Sequence, residues 1–421
     1  MNYQHLFPLP QGWIQPEDEV FAAAVAEWAA HEVTAGRLEH HEDYRRLLEP
    51  AMNRLMVDIG LQALLVPEEY GGSGVSGPGA PVTACVVLEQ ASIADTGIGF
   101  VCANTFALQY ACFSVNEMEP EAAGRVAGIF CGDRMAPGSM VLPGYGRVDD
   151  EGSRTGVGPG TGTGVSSIPV AGLESQVSLH ETDGKMVLNG KCVRPQCSGA
   201  TAALLGLCFL DRSGLPGIAL VEPSSAGFSA GRPFLKTGLA ASINADLVLD
   251  RVEVLAEMVA VRRPGDYRRV LSLYYLFCAA SVMGAMIACY GILKEWGDTR
   301  VIKGRNSLFR NNPLVAALMG RIGCRITTSR ILVYSLASML GSGCGEVEPV
   351  FSAACSVVRT VLDDAMDSID YSMELMASAG YATEWNLERY WRDVKTIQSV
   401  VVPETVAEID IAAHLFGSEV R

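Results

Sequence analysis

Between Leu271 and Leu293 the chain runs for 23 residues without a charged side chain. A helix of that length can cross a bilayer, and exposing it to water costs about 25 cal/mol per Å² of apolar surface, so lipid or protein must cover it. Its small residues favour protein: Cys278, Ala279, Ala280, Ser281, Gly284, Ala285 and Ala288 suit the close approach of other helices. Two amphipathic stretches downstream, around Leu314–Leu340 and Val350–Met376, supply the walls. In the second, Val358, Leu362, Ala365, Ile369, Met373 and Met376 recur at spacings of three or four. No second spanning segment accompanies the run, which is therefore read as a buried bundle helix with no membrane span.

The chain has 421 residues, more than one ordinary core encloses. Its first part reads as all helical, with candidates at Glu17–Ala30, Glu42–Ile59 and Val82–Ala94 and the turn Gly71-Gly72-Ser73-Gly74 between the last two. Asp95 is read as a polar residue at a helix end. Composition shifts near Cys131. Residues 152–172, GSRTGVGPGTGTGVSSIPVAG, hold seven glycines and two prolines but no G-x-G-x-x-G, so they read as a surface loop and not a phosphate cradle. Strand-like runs follow at Gln176–Leu179, Lys185–Leu188, Ala203–Phe209, Gly217–Val221 and Ala245–Val254, and DGKMVLNG reads as a hairpin signal before Asn189-Gly190. Beyond Asp266 the pattern is helical again. The expected division is a helical domain at 1–134, a β domain at 135–262 and a helical bundle at 263–421.

A net charge of −15, from 32 basic and 47 acidic residues, argues against a nucleic-acid partner, since phosphate backbones require clustered Lys and Arg. Twelve cysteines are scattered without CxxC pairs or histidine clusters, so neither a metal site nor a disulfide framework is expected. No cationic and apolar leader precedes Pro16, and the expected location is cytoplasmic.

Two islands more than three hundred residues apart carry a family resemblance. AGYATEWNLERYWRD, from Ala379 to Asp393, resembles the glycine turn, Glu-x-x-x-x-Arg segment and Arg-Asp pair near the end of acyl-CoA dehydrogenases. GLQALLVPEEYGGSG, from Gly60 to Gly74, resembles their N-terminal VPEEYGG signature. The resemblance implies an α+β fold of that type: an N-terminal all-α domain, a middle β-barrel or sandwich domain and a C-terminal four-helix bundle. It also implies FAD between the β domain and the bundle, and a glutamate that removes the α-proton of an acyl-CoA while the β-hydride goes to the flavin. A dimer or tetramer is implied, with electron-transfer flavoprotein as the acceptor.

Position by position, the site motifs of that family are replaced. Val141-Leu142-Pro143-Gly144-Tyr145-Gly146-Arg147 stands where the family reads Thr-Glu-Pro-Gly-Ala-Gly-Ser-Asp against the flavin. Arg194-Pro195-Gln196 replaces Trp-x-Thr, and Gly238-Leu239-Ala240-Ala241-Ser242 replaces Gly-x-Arg-x-Ser, leaving Gln196 and Ser242 at the cofactor positions. Gln-x-x-Gly-Gly becomes Glu374-Leu375-Met376-Ala377-Ser378, and Arg-x-x-Phe-Gly survives loosely as Arg305 and Phe309. The two places where the family carries its base fall on Val401 and on Tyr274, which Tyr275 follows. The nearest carboxylate is Glu404, twelve residues after Arg392; next to Pro403 it also suits a helix start.

Three functions follow. The first is a non-catalytic subunit of a hetero-oligomeric FAD-dependent acyl-CoA dehydrogenase, with FAD bound only beside a paralogue or not at all. The second is an active flavoenzyme with a rebuilt site in which Glu404 is the base. The third is a CoA- or lipid-binding, or structural, protein on the same fold.

Overall fold

The computed structural model describes residues 4–417 except 38–39, 41–42, 116–117, 143, 146–172, 175–176, 183–184, 212–214, 305, 344 and 403. The glycine-rich run, Arg305 and Pro403 therefore lie outside the described residues, as does the side chain of Glu404.

Five helices come first: α1 (Pro16–Trp28), α2 (Arg45–Asn53), α3 (Ala80–Ala94), α4 (Thr96–Tyr110) and α5 (Pro120–Phe130). Asp18 shows how α1 is set. One carboxylate oxygen accepts the Gln15 N–H at 2.9 Å and caps the helix, and the other accepts the Thr83 hydroxyl at 2.6 Å and pins α1 to α3. Asp95 closes α3 and opens α4, its carboxylate accepting the Ile98 N–H at 2.9 Å, the helix-end role expected of it.

The strands follow as β1 (Gly138–Val141), the two-residue pair β2 (Gly144–Tyr145) and β3 (Leu173–Glu174), then β4 (Ser178–Thr182), β5 (Lys185–Val193), β6 (Leu204–Leu210), β7 (Pro216–Val221), β8 (Phe228–Ala230), β9 (Leu247–Val254) and β10 (Val259–Val261). The main sheet runs β10-β7-β6-β4-β5-β9-β8, with β1 parallel to β6. Most pairs are antiparallel; β4 meets β6 in parallel at Ser178 and Leu210 only. Asn189-Gly190 is not a turn. It lies inside β5, where the register against β9 slips between Leu188 and Gly190, so turn chemistry in the sequence has been used for a bulge.

The remainder is helical: α6 (Pro264–Thr299), a short pair β11 (Val301–Ile302) and β12 (Ser307–Leu308), α7 (Pro313–Gly341), α8 (Val347–Met376), α9 (Leu387–Val400) and α10 (Glu404–Phe416). The uncharged run forms the middle of α6 and is buried almost throughout. A Cβ on Gly284 would overlap the Glu89 carbonyl of α3, so the two helices cross at backbone distance. The hydroxyls of Ser272 and Ser281 return to the carbonyls of Arg268 and Phe277 at 2.8 and 3.0 Å, which satisfies them in the apolar interior.

One expectation is corrected here. A second helical stretch, Thr96–Val115, is also long and apolar enough to span a bilayer. The protein covers 78% of its apolar window and 83% of the window in α6, so both are core helices of this fold. Helix α8 also stops earlier than the glycine at 380 suggests. It ends at Met376 because Ala377 turns to φ 52°, ψ −132°, outside any helical conformation.

Candidate functional site

The seam between the middle sheet and the bundle is assembled from β1, two loops and α9. Helix α4 delivers β1 to it: the Gly138 N–H donates to the Thr105 hydroxyl at 3.0 Å, and a side chain at 138 would press on Thr105 and Leu108. The loop between β5 and β6 lies alongside. The Gln196 N–H donates to the Met140 carbonyl at 3.3 Å, and the Gln196 amide oxygen accepts the Leu142 N–H at 2.7 Å. The loop between β8 and β9 latches the first loop from behind. Ser242 Oγ accepts the Ser198 N–H at 2.9 Å, Asn244 Oδ1 accepts the Gly199 N–H at 2.9 Å, and Asn244 Nδ2 donates to the Pro195 carbonyl at 3.1 Å. Ser198 and Leu239 hold left-handed backbone, φ 48° and 57°, although neither is glycine. Leu239 donates its N–H to the Asp393 carboxylate, which ties the latch to α9.

Gln196 and Ser242, placed at cofactor positions by sequence, are thus brought together, but each is engaged with the chain itself. The Leu142 N–H and the Gln196 amide satisfy one another, and the Ser242 hydroxyl serves Ser198. Arg194 is held by Asp246 through two bonds at 3.0 and 3.2 Å, with its guanidinium 4.7 Å above the Phe234 ring. Glu374 and Ser378 are exposed. These residues do not fit a flavin held as the resemblance implies. Phe309 stands apart in the α6–α7 connection, half-buried, its N–H donating to the Arg300 carbonyl at 2.7 Å.

Neither expected base position carries a base. Val401 and Tyr274 are fully buried, and Tyr275 lies with its ring 6.1 Å from that of Tyr274. Burial pushes the thiol of Cys278 up, against a smaller opposing pull from Tyr274. A valine and a neutral phenol do not take a carbon-bound proton at neutral pH. Glu404 opens α10 at its first residue.

Two groups escaped the sequence reading. Asp410, on the face of α10 turned toward α8, has its carboxyl raised to about 7, chiefly by burial and against the pull of Arg268. Arg268 in turn pairs with Glu348 and lies 5.3 Å from the Phe351 ring, which stacks 6.2 Å from Tyr275. A carboxyl raised toward neutrality has the property that proton transfer requires, and its contacts lead toward Tyr275 only through Arg268 and Phe351. Its signal in the sequence was an acid inside the apolar run Ile409, Ile411, Ala412 and Ala413. The other is a pairing: Asp95, read from the sequence only as a helix-end residue, lies buried with Asp393, both shifted upward by burial, with Arg389 and other neighbouring cations opposing.

The comparisons with known proteins agree with this architecture. Family models described as "Acyl-CoA dehydrogenase, N-terminal domain" and "Acyl-CoA dehydrogenase, C-terminal domain" match residues 15–113 and 271–413. The chain is 24% identical over 394 residues to cyclohex-1-ene-1-carbonyl-CoA dehydrogenase of Geobacter metallireducens, covering 91% of this chain and 93% of that protein. Butyryl-CoA dehydrogenase of Megasphaera elsdenii superposes with a TM-score of 0.77 at 19% identity, covering 96% of this chain and 99% of that one. A glutaryl-CoA dehydrogenase of Mycobacterium smegmatis, solved in complex with FADH2, gives 0.76 at 14% identity over 97% of each chain. At these identities the structures establish the fold alone.

Proposed function

The chain belongs to the acyl-CoA dehydrogenase family, and from that premise we propose that it is a non-catalytic subunit of a hetero-oligomeric, FAD-dependent acyl-CoA dehydrogenase. Its partner is a paralogue that carries the flavin and the base. The observation that carries this reading is the hydrogen bond from the Leu142 N–H to the Gln196 amide at 2.7 Å, which closes the edge where the resemblance puts the flavin. Val401 and Tyr274 at the base positions support it. The role of this chain is then structural: it supplies the family's fold to the assembly, with electron-transfer flavoprotein acting on the partner.

A visible absorption spectrum tests the proposal. The chain purified alone is expected to lack flavin bands, and the chain purified with its paralogue to show them. Stoichiometric flavin in the chain alone overturns the reading. That result would favour a second one, an active enzyme with a rebuilt site, whose support is the near-neutral carboxyl of Asp410.

A further inference from the structure

At the junction of the three regions a cleft of about 270 Å³ is lined by Arg45 of α2, Lys236 of the β8–β9 loop, and Arg389, Arg392 and Asp393 of α9. Among the described residues, Asp43 is the only other carboxylate on its walls. It is already paired with Arg46 at 2.7 Å, and the Asp393 carboxylate is buried and takes the Leu239 N–H. Four cations thus face two spoken-for carboxylates in a chain whose net charge is −15.

The cations keep donors to spare. The half-buried Lys236 ammonium donates to the Ser242 carbonyl at 2.6 Å, and an ammonium has three N–H groups. Burial holds its pKa below the ordinary range, with Cys197 and Asp393 offsetting part of that and Arg45 adding to it, so an anion at this point would stabilise its charge. Arg389 gives its Nε to the Asn386 side chain at 3.1 Å and lays its guanidinium 3.2 Å from the Tyr44 ring, a stacking that fixes its plane. Arg392 is spent on Glu388 and the Thr237 carbonyl and adds charge but little hydrogen bonding.

We infer that this cleft is a binding site for a small phosphate-bearing anion, held by Arg45, Lys236 and Arg389. Because its walls come from the N-terminal helices, the middle region and α9, an anion there bridges all three. The inference does not depend on whether the chain binds flavin.

Calorimetric titration of the full chain with pyrophosphate, at ionic strength matched by chloride, tests it. Saturable binding is expected in the wild type and about tenfold or more weaker binding in Arg45→Gln, whose side chain is exposed and whose loss leaves the fold intact. Lys236→Gln is expected to weaken it at least as much. ADP serves as the second probe: tighter binding than pyrophosphate assigns a nucleotide ester, equal or weaker binding assigns the free anion, and both support the site. No saturable binding of either probe, or equal affinity in wild type and Arg45→Gln, overturns the inference.

Discussion

Two acidic residues stand six apart on α10, Glu404 as its first residue and Asp410 at its middle. Glu404 stands at the helix N-terminus, where an anion stabilises the dipole by roughly a few tenths of a kcal/mol whatever else it does. Asp410 is half-buried, and the fold prefers it protonated up to about pH 7, against 3.8 for the free acid. The folded state therefore holds a proton that the unfolded chain has released between those values, so this group's contribution to stability is full below pH 4 and is lost as pH rises to 7. The expected outcome is that Asp410→Asn flattens that part of the pH profile of the thermal midpoint. The same variant should leave the turnover of the intact assembly nearly unchanged; a fall of roughly a hundredfold at unchanged flavin content would make Asp410 a base.

Among the elements, the end of α8 keeps a conformation its residue does not suit. Ala377 sits at φ 52°, ψ −132°, at a place where the resembling family carries glycine. Such backbone costs a residue with a Cβ on the order of 1–3 kcal/mol, offset in part by the entropy that glycine loses on folding. Ala377→Gly is therefore expected to stabilise the protein by about 1 kcal/mol, read as a higher urea midpoint at an unchanged slope. The location of α8 was legible from its apolar spacing; its last turn was not, because the stop depends on a dihedral that no residue type there announces. Asn189-Gly190 misled for a related reason, since the same permissive backbone serves a turn or a bulge depending on which strand lies opposite.

For the molecule as a whole, one buried ion pair joins parts of the chain far apart in sequence. Glu89 of α3 meets Arg330 of α7 at 3.0 Å, both almost wholly buried, and Arg330 also donates to the carbonyls of Gln4 and Phe7. Removing one partner strands the other charge in the interior. Arg330→Met is expected to cost about 3–5 kcal/mol in thermal unfolding, with the double variant Glu89→Leu, Arg330→Met recovering much of it. A double variant no more stable than the single would show that the tie to the N-terminal segment, and not the charge, is what matters.

By itself the sequence determined which segments must be covered. The uncharged run of α6, the amphipathic faces of α7 and α8, and the shift to strand-like runs after Cys131 are local patterns, and burial of apolar surface acts on them wherever the chain goes. Through its resemblance to the family it also implied that flavin and base positions fall on Gln196, Tyr274 and Val401. Only the tertiary structure decided what those replacements do. That Gln196 closes on Leu142, that Asp410 is driven toward neutrality near Arg268, and that Arg45, Lys236 and Arg389 share one cleft are facts about residues far apart along the chain. Hydrogen bonding and charge act through distance in space and loss of water, and neither is written in the order of the residues.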